Sequence, residues 1–145
     1  TRIQKYKRSN QIVDELKESG KLEEHLYELH QNMAFRVDET LEQYEYNTKI
    51  PQYRKVLLEY CEGSVLETCV GTFRNLKYYK PGAAVTLIDW STNMIEFALS
   101  KNSPFVSTQY KVADVTKMPF QDSSFDTVVD TFGLEYVLDP EKALD

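Results

Sequence analysis

Histidine, cysteine and glycine are scarce in this chain of 145 residues, and long apolar runs are missing. The two histidines, His25 and His30, are five apart and so fall on different faces of a helix. The two cysteines, Cys61 and Cys69, form no CxxC pair. We therefore expect no metal site and no disulfide framework, which fits a reducing compartment inside the cell. No run of 18 apolar residues exists, so no transmembrane segment is expected.

An excess of positive charge is also absent. The chain has 17 Lys and Arg against 23 Asp and Glu, a net charge of −6. An acidic protein gains no general attraction to nucleic acid or to anionic membranes, so general nucleic-acid binding is not predicted. Only the start is basic, with Arg2, Lys5, Lys7 and Arg8. Such a start can follow a removed presequence or an upstream anchor, or it can be a solvated terminus.

Helical periodicity characterises the first third of the chain. Apolar residues recur there at spacings of three and four, namely Leu22, Leu26, Leu29, Met33, Val37, Leu41 and Tyr44. This pattern predicts two helices over 11–48, or one helix broken near Gly20. We interpret residues 1–48 as an N-terminal helical extension whose apolar stripe packs against the following domain or a partner.

From residue 49 onwards, short apolar runs alternate with helical segments. Pro51 suits the first turn of a helix that Gly63 would end. The pattern then predicts strands at 64–69, 84–89, 106–113 and 124–131, and helices at 72–79 and 92–100. Alternating strands and helices imply right-handed crossovers and a parallel sheet. The fold predicted for residues 49–145 is therefore α/β, a Rossmann-like three-layer domain.

Ligands of an open parallel sheet bind outside the carboxyl ends of its strands. The run ETCVGTFRN at 67–75 follows the first strand. Gly71 lets the backbone turn tightly and approach a ligand, and the N-terminus of the predicted next helix offers N–H groups to an anion. Asp89 ends the second strand, where an acid can accept hydrogen bonds from ribose hydroxyls. A nicotinamide dehydrogenase needs G-x-G-x-x-G here, and only Gly71 is present, which disfavours that class.

Three blocks together resemble class I S-adenosyl-L-methionine (SAM) dependent methyltransferases. VLETCVGTFRN at 65–75 is similar to their first motif, VLE followed by G-x-G-T-G and often R-N. DWSTNMI at 89–95 is similar to D-x-S-x-x-M-[IL], and MPFQDSSFDTVV at 118–129 to LPF-x-D-x-S-F-D-x-V. The resemblance covers 63–145 and points to ubiquinone- and menaquinone-type enzymes and mitochondrial methyltransferase-like proteins. The family's domain has seven strands, so the four predicted here imply a truncated chain without the later strands.

This resemblance implies SAM as the cofactor and assigns its contacts to the strand ends. The implied cofactor-binding residues are Glu67, Cys69, Gly71, Thr72, Asn75, Asp89, Trp90, Met94, Asp114, Val115 and Asp130. Asp89 would hold the ribose and Asp114 the adenine amine. Tyr44 and Tyr46 fall where relatives often carry a tyrosine that approaches SAM, although helical packing explains them equally well. No catalytic residue can be named, because GLEYV at 133–137 lacks the histidine that the family often has there.

The glycine loop leaves two functions open. Cys69 and Phe73 replace two of the three usual glycines, and the Phe73 ring would project near the methionine end of SAM unless it turns into the packing. The chain is then either a SAM-dependent methyltransferase with an unknown acceptor, or a degenerate methyltransferase-fold protein with a structural or assembly role in a larger complex. In the second case SAM need not bind, and protein partners would cover the incomplete sheet or the N-terminal helices. The expected location is intracellular, soluble or peripheral, and mitochondrial by resemblance.

Overall fold

The computed structural model of this protein describes residues 11–145, so the basic residues Arg2, Lys5, Lys7 and Arg8 lie outside the described part. Residues 11–18 are helical. The further α-helices are α1 (Leu22–Met33), α2 (Val37–Tyr46), α3 (Ile50–Leu58), α4 (Thr92–Ser100) and α5 (Pro140–Leu144). The strands are β1 (Ser64–Thr68), β2 (Ala84–Asp89), β3 (Ser107–Val112) and β4 (Thr127–Asp130).

The N-terminal helical region is broken twice. The first break is the predicted one at Gly20, which adopts φ +68°. The second, at residues 34–36, was not predicted, because the apolar stripe runs through it without a Gly or Pro. Ala34 is buried in this turn, and the ring of Phe35 packs edge-on against Phe97 of α4 at 5.4 Å. Tertiary packing therefore interrupts a helix that the local sequence would continue.

The four strands form one parallel sheet in the order β3-β2-β1-β4, which confirms the predicted Rossmann-like fold. Parallel neighbours need crossover connections, and α4 forms the helical one, between β2 and β3. Both faces of β1 are covered, since Val65, Leu66 and Glu67 are all buried. Such burial explains the continuous apolar runs of the inner strands.

The predicted helix at 72–79 is wrong. Residues 71–75 form turns instead, and only Leu76–Tyr78 make a single 3-10 turn. The cause lies in the backbone, because Gly71 and Phe73 adopt φ +55° and +58°. A residue in the left-handed region cannot belong to a right-handed helix, so the chain turns rather than coils. The N-terminus of an α-helix is thus not available to an anion at this position.

The core lies between the sheet and the helices that pack against it. Its main cluster includes Leu58 of α3, Val65, Leu87 and Ile95. Outside it, apolar side chains are exposed on α3 (Tyr53 and Val56), just after α3 (Tyr60) and on the edge strand β4 (Val128). A protein partner over this surface or over the N-terminal helices stays a prediction.

Neither a membrane-spanning helix nor a metal-binding cluster is present in the described part of the chain. Between residues 11 and 145, no helix combines the length and the apolar character needed to cross a bilayer. The same residues hold no group of three or more His, Cys, Asp and Glu side chains placed to bind a metal ion.

Candidate functional site

A cavity of about 1270 Å³ opens at the carboxyl ends of the strands. Residues that follow each of the four strands line it, among them Gly71, Trp90, Asp114 and Phe132. The strand order reverses between β1 and β4, and parallel sheets bind their ligands at such a switch point. Helices α1 and α2 close the opposite side through residues such as Met33.

The loop after β1 places Gly71 against the end of the neighbouring strand β2. The Gly71 amide donates a hydrogen bond of 2.9 Å to Oδ2 of Asp89. A Cβ built on Gly71 would meet no atom within 4 Å. Backbone at this point therefore borders open space, as it must where a ligand lies against the chain. Cys69 and Thr72 also line the cavity, and burial raises the pKa of the Cys69 thiol.

Phe73 turns away from this cavity. Its side chain is 1% exposed, belongs to the hydrophobic core, and lies 6.1 Å from the ring of Tyr79. Phe73 is not among the cavity-lining residues. Of the two orientations considered from the sequence, the ring thus adopts the packed one, and it leaves the space beside Gly71 open.

Asp89 at the end of β2 holds the loops on either side of it. Besides the Gly71 amide, it accepts a hydrogen bond of 2.9 Å from the amide of Ser91. Burial raises the pKa of Asp89, while those two amides oppose the rise. Each carboxylate oxygen has a second lone pair, so Asp89 can still accept hydrogen bonds from ribose hydroxyls. The carboxylate lines the cavity and keeps this capacity.

Trp90 and Met94 form a wall beside Asp89. The Trp90 ring meets Tyr27 and His30 of α1 edge-on, at 5.7 and 5.4 Å between ring centroids. Met94 is buried and also lines the cavity. Ser91 caps α4, as expected, because its Oγ accepts a hydrogen bond from the Met94 amide at 3.2 Å.

The end of β3 contributes Asp114 and Val115. The Oδ1 atom of Asp114 accepts hydrogen bonds of 2.8 Å from both the amide and the hydroxyl of Thr116. The backbone is thereby bent into the 3-10 turn Val115–Lys117, and Val115 is buried. Asp114 and Val115 both line the cavity, as predicted. The Oδ2 atom of Asp114 takes no part in the hydrogen bonds to Thr116.

Asp130 at the end of β4 does not line the cavity. Its Oδ1 accepts from the amides of Gly133 and Leu134 at 2.8 and 3.2 Å, and Oδ2 accepts from the hydroxyl of Thr68 at 3.0 Å. This carboxylate shapes the turn behind the wall, whereas its neighbours Thr131 and Phe132 face the cavity.

A buried polar network lies beneath the glycine loop. The carboxylate of Glu67 accepts hydrogen bonds from Asn75 at 2.9 Å and from the Tyr79 hydroxyl at 2.7 Å. Burial raises the pKa of Glu67 to about 7, against the effect of those two bonds. Asn75 also accepts from Nη1 of Arg54 at 2.8 Å. Glu67 reaches the cavity wall, whereas the fully buried Asn75 supports it from behind.

The N-terminal helices supply residues that the sequence did not single out. Glu45 of α2 is 5% exposed and pairs with Arg54 at 2.7 Å and with Arg74 at 3.0 Å. Asp38 lies on the same face of α2 as Glu45. It contacts Arg74 at 3.1 Å and also Lys101 and Thr72. The sequence signal for these two acids was their spacing of seven residues on the polar face of an amphipathic helix. Charged residues at such a spacing occur on any solvated helix face, so the signal did not distinguish them.

The apolar stripe of the N-terminal helices partly faces the cavity. Leu29, Met33 and Tyr44 are exposed and line it. Tyr46 is 83% exposed and is not among the lining residues. Of the two tyrosines singled out from the sequence, only Tyr44 therefore reaches the cavity. Nine of the eleven predicted cofactor residues line it, all except Asn75 and Asp130.

Known proteins with a similar sequence share this region. Residues 66–145 match the family described as a methyltransferase domain. The chain is 33% identical over 84 residues to a demethylmenaquinone methyltransferase of Chlamydia pneumoniae, covering 56% of this chain and 36% of that protein. It is 30% identical over 135 residues to the mitochondrial methyltransferase OMS1 of Saccharomyces cerevisiae, covering 79% of this chain and 29% of the relative. The chain spans about a third of the length of these curated relatives.

Solved structures share the fold. A putative methyltransferase of Haloferax volcanii, in complex with the Trm112 methyltransferase activator, superimposes with a TM-score of 0.61 at 20% identity, covering 79% of this chain and 52% of that one. A SAM-dependent methyltransferase of Thermotoga maritima gives 0.56 at 22% identity, covering 83% and 54%. The resemblance inferred from the sequence motifs is thus confirmed by a family match over more than half of the chain. This chain belongs to the methyltransferase-domain family, the class I SAM-dependent methyltransferases, whose cofactor is S-adenosyl-L-methionine.

Proposed function

We propose that this chain binds SAM in the strand-end cavity and forms the cofactor-binding part of a methyltransferase with an unknown acceptor. The observation that carries the proposal is the open space at Gly71 directly beside the buried carboxylate of Asp89. A Cβ at Gly71 would fill that space, and only glycine leaves it free. The fit to a nucleoside ligand is further supported by acids after β2 and β3 and by the apolar wall at Met94.

In the proposed site, the chain mainly binds and orients. When bound, SAM supplies a methyl group on a positively charged sulfur; an acceptor lone pair bonds to the methyl carbon while the carbon–sulfur electrons pass to sulfur. Asp89 would accept from the ribose hydroxyls and Asp114 from the adenine amine, fixing the long axis of the cofactor. Helices α1 and α2 would cover the site and exclude water. Positioning and water exclusion are the main contributions a protein makes to such a displacement.

The degenerate, structural alternative is not favoured by these findings. One of its two motivations was the altered glycine loop, where Phe73 could obstruct SAM, and the ring of Phe73 is buried in the core. The other was the incomplete sheet, which favours neither function. The family and the relatives that the chain matches are methyltransferases by name. Methyl transfer is therefore the function that we propose.

Calorimetric titration of the full chain with SAM and S-adenosylhomocysteine tests the proposal. We expect saturable binding in wild type and affinity at least about tenfold lower in Asp89→Asn, because charge-assisted hydrogen bonds contribute roughly 1.5–3 kcal/mol each. Asp126→Asn is the matched control. Its carboxylate also accepts a hydrogen bond from a backbone amide, that of Ser64, but at the opposite end of the sheet. No binding by wild type at millimolar ligand would refute the proposal, and equal affinities of the two variants would refute the role of Asp89.

A mitochondrial location is a further part of the proposal. It is supported by the mitochondrial methyltransferase OMS1 of yeast, to which the chain is similar, and by the basic residues Arg2, Lys5, Lys7 and Arg8. Imaging of the full-length protein with a C-terminal fluorescent tag tests it. Overlap with a mitochondrial matrix or inner-membrane marker is expected, and exclusive overlap with another compartment would contradict it.

A further inference from the structure

Helix α2 contacts the glycine loop through charge. Glu45 uses both carboxylate oxygens, since Oε1 accepts from Arg54 at 2.7 Å and Oε2 from Arg74 at 3.0 Å. Asp38, two turns earlier, accepts from Arg74 at 3.1 Å and from Thr72 and Lys101. Every one of these contacts joins the N-terminal extension to the nucleotide-binding fold.

Two of these partners, Thr72 and Arg74, belong to the loop that lacks two of the family's glycines. Cys69 and Phe73 hold φ values of +48° and +58°, which L-residues rarely adopt. Such a backbone persists only where its surroundings fix it. From the inside, the core holds Phe73. From the outside, Thr72 and Arg74 are held by α2.

We infer that Glu45 and Asp38 are positioning residues of the cofactor site, which hold the Thr72–Arg74 segment so that Gly71 keeps its place against the methionine end of SAM. This inference rests on the proposed function. Asp38 is not among the cavity-lining residues, and the oxygens of Glu45 are occupied by guanidinium groups. Both carboxylates act through the loop rather than on the cofactor.

Glu45, Arg54 and Arg74 form a buried charge cluster that is suited to hold the loop after β1. Side chains of Glu45 and Arg54 are each 7% exposed and that of Arg74 is 14% exposed, so solvent screens them little. Burial alone would raise the pKa of Glu45, but hydrogen bonds and charge from Arg74 and Arg54 outweigh it and lower the pKa. The cluster is thus ionised at neutral pH. Loss of Glu45 would leave the buried guanidinium of Arg54 without a carboxylate partner and remove one of the two that hold Arg74. Loss of Asp38 would release Thr72 and leave Arg74 with Glu45 alone. Either loss displaces the loop.

Two ligands separate the methionine end from the adenosine end. S-adenosylhomocysteine carries both, whereas 5′-methylthioadenosine lacks the amino acid part. We expect Glu45→Gln and Asp38→Asn to weaken S-adenosylhomocysteine binding by at least tenfold, and 5′-methylthioadenosine binding by less than twofold. Glu42→Gln, an exposed carboxylate on the same helix, is the matched control and should change neither affinity.

Each outcome of these titrations is decisive. Selective loss of S-adenosylhomocysteine affinity in both variants supports the positioning role. Wild-type affinity in the variants overturns it. Parallel loss of both ligands also overturns it, since it would indicate general destabilisation, and the 5′-methylthioadenosine affinity reports on the fold in each variant. If wild type binds neither ligand, the proposed function fails instead, and the two failures are distinguishable.

Discussion

At the scale of single residues, Phe73 takes a backbone conformation that costs an L-residue roughly 1–2 kcal/mol. Burial of its ring in the core offsets that cost. The sequence could show that a phenylalanine replaces a glycine but not where the ring points, because that direction depends on the φ angle and on space left by distant residues such as Val129. A bulky residue at a glycine position is therefore compatible with an open site.

Phe73→Gly should damage the protein rather than improve binding. The lost ring leaves a cavity, for which large-to-small changes of phenylalanine cost about 3–5 kcal/mol, and relief of the backbone returns only about 1 kcal/mol. Urea unfolding should show a net loss of about 2–4 kcal/mol. Phe105→Ala, at a side chain that is 65% exposed, should stay within about 0.5 kcal/mol. Unchanged stability with tighter SAM binding in Phe73→Gly would mean that the ring obstructs the site.

Glu67 makes stability depend on pH in a direction unusual for a carboxylate. Its folded-state pKa of about 7 lies above the unfolded value of 4.5, because burial disfavours the charge. The folded state binds the extra proton, so the contribution of Glu67 to stability is greatest below about pH 4.5 and is lost as the pH rises to about 7 and above.

Replacement of Glu67 by glutamine should remove this dependence. Between pH 5 and pH 8, we expect the free energy of unfolding of wild type to fall relative to Glu67→Gln by roughly 2–3 kcal/mol. Denaturant unfolding of both proteins at the two pH values measures the difference, in which the other titrating groups cancel. A constant difference across the range would show that Glu67 is ionised throughout.

Gly71→Ala should separate binding from stability. Both Gly71 and Gly82 have positive φ, and an added Cβ meets no atom within 4 Å at either, so alanine should cost each variant about 1 kcal/mol of stability. Only Gly71 borders the cavity. Calorimetry should therefore show weakened SAM binding in Gly71→Ala and wild-type affinity in Gly82→Ala. Equal affinities would place the cofactor away from Gly71.

At the scale of elements, apolar patterns in the sequence predicted helices and strands correctly where tertiary packing and local conformational preference agree. Strand β2 and helix α4 lie at the predicted 84–89 and 92–100, since each has an apolar pattern of the right period and α4 has Ser91 as its cap. The helix expected at 72–79 failed because nothing local reveals a positive φ at Phe73. The charged contacts of α2 were equally hidden, because their partners lie on other elements.

The loops after β1 and β4 are packed so closely that one residue on each must be small. A Cβ added to Gly133 would lie 2.2 Å from the Cβ of Cys69 and 2.6 Å from Oδ2 of Asp130. Gly133 thus makes room for the cysteine that replaces a glycine in the first loop.

Gly133→Ala should therefore destabilise the protein, and Cys69→Gly should partly rescue it. Overpacking of this kind costs about 1–3 kcal/mol. A double-mutant cycle by urea unfolding should give a coupling of at least about 1 kcal/mol between the two positions. Additive effects would show that the loops move apart without strain.

At the scale of the whole molecule, a ligand that binds only the folded chain must raise its melting temperature. At 100 times its Kd, S-adenosylhomocysteine should stabilise the chain by about 2.7 kcal/mol, a shift of roughly 6–10 °C. Differential scanning fluorimetry measures this. NAD at the same concentration is the control, and it should give no shift because the loop lacks the glycines of a dinucleotide site. A larger shift with NAD would reverse the assignment of the cofactor.

The strand order β3-β2-β1-β4 also determines at which stage of folding the cofactor site forms. Strands β1 to β3 can pair as soon as residues up to 112 are available, whereas Arg54 meets Thr131 across a separation of 77 residues. Closure of such long loops carries the larger entropic cost and comes late in folding. A nascent chain therefore assembles most of its sheet before it has a place for a cofactor. Changes at Arg54 should consequently accelerate unfolding more than they slow folding.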